Sequence, residues 1–86
     1  MSETQAERYR RLRWQCRRGI LELDRILSAF LETGYPLLDP PGQERFEHIL
    51  SQPDHLLSQW LFGGRARPAD QETDRVVQAI RRTPAS

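Results

Sequence analysis

From Tyr9 to Leu31 the apolar side chains return every three or four residues: Tyr9, Leu12, Cys16, Leu23, Leu27 and Phe30, with Ile20, Ile26 and Leu31 beside them. That spacing places them on one side of an α-helix. Gly19 interrupts the series, and a glycine inside a helix costs about 1 kcal/mol relative to alanine. Periodicity permits either one long helix or two. Length favours a break near Arg17–Gly19, because a single helix across this span is long for a chain of 86 residues. Ser2 or Thr4 is placed to cap the first helix, and Gly34 to end the second.

Beyond Gly34, the stretch Tyr35-Pro36-Leu37-Leu38-Asp39-Pro40-Pro41-Gly42 reads as an irregular loop, since three prolines and a glycine disfavour regular structure. A third helix is expected from Gly42 to Ser51, burying Phe46, Ile49 and Leu50. Pro53 marks the first turn of a fourth, with Leu56, Leu57, Trp60 and Leu61 facing inward and Gly63-Gly64 closing it. The fifth is expected to start near Pro68. Asp70, Glu72 and Asp74 lie at its N-terminal end, Val76, Val77 and Ile80 form its apolar side, and Arg81-Arg82 end it, in keeping with the helix dipole. No segment alternates with period two. The expected fold is all-α: a five-helix bundle forming one small domain over residues 1–86, ordered from about residue 5 to 82.

Size and composition narrow the function classes. At 37% hydrophobic residues the chain can fill one modest core, with a stability of about 4–13 kcal/mol for this length, which leaves little room for a lidded catalytic pocket. The longest apolar runs are three residues, so no segment spans a bilayer. The Met1-Ser2-Glu3-Thr4 start shows no secretory h-region, and the single cysteine, Cys16, cannot form an internal disulfide. A cytoplasmic protein is expected. Net charge is +1, yet all thirteen cations are arginine. Six of them, Arg8, Arg10, Arg11, Arg13, Arg17 and Arg18, fall within residues 8–18 without an acid among them, so the chain after residue 18 is net acidic. A basic end of this kind fits a polyanionic or acidic partner, although a solvated helix face is the commoner explanation.

Few residues carry reactive chemistry. Neighbouring arginines would favour the Cys16 thiolate, but its spacing from Leu12 and Ile20 places it among packing residues. His48 and His55, with one distant cysteine, are too few for a zinc site, so no metal and no catalytic residue is assigned. Trp14-Gln15-Cys16-Arg17-Arg18-Gly19-Ile20-Leu21-Glu22-Leu23-Asp24 is the informative segment. Were it helical, Arg18 and Glu22 would share a face and touch. Arg18 offers a planar fork for a carboxylate or phosphate, and Gly19 leaves room for a close approach by another surface. Two readings stay open on these residues alone: a docking site, or a turn glycine among solvated charges.

Arg18-Gly19-Ile20-Leu21-Glu22 also resembles the Arg-Gly-x-x-Glu signature of the small flavinylation factors for succinate dehydrogenase. Trp14, Cys16 and Leu23-Asp24 match around it. Tyr35, Phe46, Leu50, the Asp54…Leu57…Trp60-Leu61 run and Pro68-Ala69-Asp70 match further on, so the resemblance covers residues 8 to 80. It implies a five-helix assembly factor, not an enzyme, that binds the flavoprotein subunit of succinate dehydrogenase and promotes covalent FAD attachment to it. The related fumarate reductase subunit is implied as a further client. Partner-binding residues would be Trp14, Arg17, Arg18, Gly19 and Glu22, with a helix break just before Gly19. FAD would stay with the client, whose own histidine accepts it, so neither His48 nor His55 takes that role.

From the same resemblance we expect a bacterial, cytoplasmic protein, and a monomer because no long unpaired apolar stripe remains once the core is filled. Arg18 would add positive charge near the flavin, and Arg18→Ala or a bulky residue at Gly19 would leave the fold intact while abolishing covalent flavin. The alternative is an antitoxin-like or nucleic-acid-binding regulatory module using the arginine-rich 8–18 segment. Against the nucleic-acid form of it, aromatic residues are few and not interleaved with the arginines as stacking platforms.

Overall fold

The first helix begins where a threonine can cap it. In the computed structural model, which describes residues 2–63 and 65–84, α1 runs Gln5–Gln15. Thr4 Oγ1 accepts the Glu7 N–H at 3.1 Å while Glu7 Oε1 accepts the Thr4 N–H at 3.0 Å. This reciprocal box satisfies two of the donors that a helix start leaves free. The helix ends at Gln15, five residues of connection (16–20) follow, and α2 runs Leu21–Thr33. The break is therefore present. Gly19 takes φ +82°, a left-handed conformation that side-chain-bearing residues seldom adopt.

Ile20 is 41% exposed instead of lying on the apolar side, because helical periodicity does not carry across a non-helical connection. The α2 helix ends at Gly34, where a Cβ would overlap the Phe30 ring. The glycine lets the chain turn directly against that side chain.

Two expected boundaries move. The stretch from Tyr35 to Gly42 is not irregular throughout. Tyr35–Leu37 forms a 3-10 turn, and α3 runs Pro40–Leu50, starting ahead of Gly42. Pro40 and Pro41 occupy the first helical positions, where a missing N–H removes no bond, and Asp39 caps by accepting the Gly42 N–H at 2.9 Å. The prolines start the helix rather than prevent it. Pro53 is the cap residue before α4, Asp54–Phe62, which ends at Gly63; Gly64 lies outside the described residues. The last helix, α5, runs Gln71–Arg81 and starts later than Pro68. Asp70 sets that start: its carboxylate accepts both the Thr73 N–H at 3.0 Å and the Thr73 hydroxyl at 2.8 Å.

Among the described residues five helices and the turn enclose one core and make an all-α fold. From the expected set Leu12, Cys16, Leu23, Ile26, Leu27, Phe30 and Leu31 are buried, as are Phe46, Ile49, Leu50, Leu57, Trp60, Leu61, Val76, Val77 and Ile80. Tyr9 and Leu56 pack against the core half-buried. Phe46 lies at its centre, with ring centroids 5.3 Å from Phe30 and 5.4 Å from Tyr35 in tilted pairs. Arg11 ties α1 to α3 outside the core, donating to Glu3 at 2.8 Å and to Glu47 at 2.9 Å. No helix among the described residues is long and apolar enough to cross a membrane.

Candidate functional site

The residues singled out in the sequence lie at the corner where α1 hands over to α2. Trp14, in the last turn of α1, is 71% exposed, and the Arg17 guanidinium lies 5.5 Å from its ring centroid. An arginine over an exposed ring gains about 0.5–1 kcal/mol, enough to hold the two as a unit. Gly19 is exposed, and a Cβ built on it meets nothing within 4 Å. Space therefore does not require glycine within this chain; the backbone angle does. Ile20 and Leu21 are exposed beside it, and Glu22 is exposed in the first turn of α2, where a carboxylate is favoured by the helix dipole.

Arg18 behaves differently from its neighbours. Its side chain turns inward and is only 16% exposed. The Nε donates to Asp54 Oδ1 at 2.7 Å, Nη1 to the Leu50 carbonyl at 2.8 Å and the Gln15 carbonyl at 3.2 Å, and Nη2 to the Gln52 carbonyl at 2.6 Å. Its backbone N–H donates to Asp24 Oδ1 at 2.6 Å. One residue thus satisfies carbonyls at the ends of α1 and α3, pairs with the first residue of α4 and is anchored to α2.

The expected Arg18–Glu22 contact does not form, since residues 16–20 are not helical and four residues there do not make one turn. The partners Asp24, Leu50, Gln52 and Asp54 were missed as a group. Three of them act through loop geometry or backbone carbonyls, which leave no sequence pattern. The one usable signal was that Gly19 breaks the helix, so Arg18 had to seek partners elsewhere.

Cys16 is fully buried at the end of α1, and burial pushes its thiol up to about 12, with the Arg18 charge opposing and Asp24 reinforcing the shift. It is a packing residue. An unfolded thiol ionises near pH 8.5, so above that pH the unfolded chain sheds a proton the folded chain keeps. The fold accordingly loses stability as pH rises from about 8.5 toward 12. At pH 8 a thiol reagent should label the folded chain at least about 100-fold more slowly than the denatured chain. Labelling of both at comparable rates would mean an accessible thiol. His48 and His55 are exposed, on the last turn of α3 and the first turn of α4. Among the described residues no three potential metal-ligating side chains come together.

The corner displays groups suited to recognising a surface: an indole with a cation over it, a turn without a side chain, two exposed aliphatics and a carboxylate. By class the chain is a small all-helical protein with an exposed corner where α1 hands over to α2. A family model described as the flavinator of succinate dehydrogenase matches residues 10–84, and the chain belongs to that family. It is 39% identical over 71 residues to the FAD assembly factor SdhE of Coxiella burnetii, spanning 83% of this chain and 85% of that protein. Identity to the FAD assembly factor SdhE of Pseudomonas aeruginosa is 41% over 71 residues, 83% of each chain. For that of Mannheimia succiniciproducens it is 40% over 70 residues, 81% of this chain and 80% of the relative. No solved structure gives a significant match.

Proposed function

We propose that this chain is a non-catalytic assembly factor that docks on the flavoprotein subunit of succinate dehydrogenase and promotes covalent attachment of FAD to it. The observation that carries this reading is the family match across residues 10–84, whose span contains the whole exposed corner. The flavoprotein of fumarate reductase is a second client of the same kind. The protein works in the cytoplasm, and as a monomer: among the described residues five large apolar side chains are exposed, and three of them, Trp14, Ile20 and Leu21, belong to the docking corner.

FAD would remain with the client, and its attachment would be to a histidine of the client. Two recesses among the described residues are both lined partly by α1, and neither lies on a glycine-rich turn before a helix, the arrangement that cradles a dinucleotide's phosphates. The chain's contribution is orientation: a rigid corner pressed against the client holds the reacting groups in line. Trp14, Arg17, Gly19 and Glu22 make the contact. Arg18 acts behind them. With its guanidinium shared among Asp54 and three carbonyls, it holds the connection in shape instead of lending charge to the flavin.

The test is flavin fluorescence of the denatured flavoprotein subunit in a gel. A strain lacking this gene should show a small fraction of the wild-type signal, and the restored gene should return it. Equal fluorescence with and without the gene would exclude the proposal.

A further inference from the structure

The six arginines of residues 8–18 divide into two sets. Arg8, Arg11 and Arg18 are committed within the molecule, to Glu3, to Glu3 and Glu47, and to Asp54. Arg10, Arg13 and Arg17 have no ion-pair partner among the described residues, and these three line one recess of about 570 Å³ together with Trp14, Asp24 and Ser28. The single acid there, Asp24, already accepts the Arg18 N–H at 2.6 Å. The recess is therefore net positive, and Arg17 is held over Trp14 before any partner arrives.

We infer that Arg10, Arg13 and Arg17 form a carboxylate-binding rim beside Trp14 that receives an acidic segment of the flavoprotein client. The inference rests on the client proposed above. Guanidinium forks match carboxylates two bonds at a time. From Arg10 to Gln15, the last residue of α1, the rim runs about 7.5 Å at a helical rise of about 1.5 Å per residue, and Arg17 lies in the connection just beyond, so the rim matches a few residues of extended chain. A short acidic stretch fits that reach. A nucleic-acid backbone fits it less well. Its charge continues past the rim toward a chain that is net acidic after residue 18, and the one ring in the recess already carries Arg17 on it.

The measurement is the association and dissociation rate of the full chain with the purified flavoprotein subunit across a salt series. The variants are the doubles Arg10→Gln/Arg13→Gln and Arg10→Lys/Arg13→Lys. Both positions are exposed, and helical circular dichroism and melting confirm that each variant folds. At low salt the glutamine pair should associate about tenfold more slowly, with dissociation little changed. The gap should close by about 0.5 M salt, where screening shortens to a few ångströms. The lysine pair keeps the charge and should stay within about twofold of the parent. Unchanged association of the glutamine pair at every salt concentration overturns the rim while leaving the client in place. Loss of duplex DNA or RNA binding in that pair, with client association untouched, overturns it in favour of nucleic acid. Failure of the parent chain to associate with the flavoprotein removes both the client and the rim.

Discussion

Replacing Arg18 with alanine should lower the melting temperature by about 10–20 °C, corresponding to a loss of about 2–3 kcal/mol in a domain of this size. Little of that comes from the ion pair as such. Asp54 is 40% exposed, and partly solvated pairs contribute less than about 1 kcal/mol. The larger part comes from three carbonyls that lose their donor at once. Two of them, of Gln15 and Leu50, end helices α1 and α3 and have no intrahelical partner of their own. Arg18→Lys should recover part of the loss, since one ammonium cannot reach a carboxylate and three carbonyls with fixed planar geometry. An alanine variant that melts within about 2 °C of the parent would show the clamp to be energetically idle.

The same variant should also lose covalent flavin on the client, for a structural reason that can be separated from contact. A stabilising osmolyte strengthens the folded state of Arg18→Ala without replacing a lost intermolecular bond. It should therefore restore much of the flavin attachment if Arg18 positions the corner, and none if the guanidinium touches the client.

This differs from what the sequence alone supports for Arg18, and the difference has a definite source. Helix existence was legible because each helix carries its own record: apolar spacing, a capping residue at Thr4, glycines at the ends of α2 and α4, acids at the start and arginines at the end of α5. The core followed almost residue for residue, since periodicity and burial are the same fact seen twice. Boundaries were less legible where two local rules compete. Pro40-Pro41 breaks a helix from within but opens one from its first turn, and only Asp39 accepting the Gly42 N–H shows which applies. The corner was legible as a place and not as an arrangement. Adjacent residues Arg17 and Arg18 are chemically alike, yet one lies over Trp14 in solvent and the other is drawn under the connection. Three of the four partners of its guanidinium are 32 to 36 residues away in the chain, two of them backbone oxygens. Nothing local distinguishes the two arginines.

Gly19 permits the cleanest test of docking, because its backbone and its surroundings ask different things of a substituent. At φ +82° any L-residue with a Cβ is strained, by roughly 1–2 kcal/mol, with asparagine among those that tolerate this region best. Within the chain, nothing lies within 4 Å of a built Cβ. The strain is therefore set by the first carbon, and the turn is exposed, so a larger side chain has solvent to extend into. Gly19→Ala and Gly19→Trp should accordingly lose similar stability, within about 0.5 kcal/mol of one another, and Gly19→Asn should lose least. Flavin attachment should follow size instead. If the client packs against this turn, overfilling a close contact costs about 1–3 kcal/mol, so the tryptophan variant should attach flavin at least about fivefold more slowly than the alanine variant of equal stability. Both rates come from one time course of in-gel flavin fluorescence, with melting measured on the same preparations. If alanine, asparagine and tryptophan variants attach flavin in the order of their stabilities and not of their sizes, Gly19 is a turn residue only, and the client does not approach the molecule here.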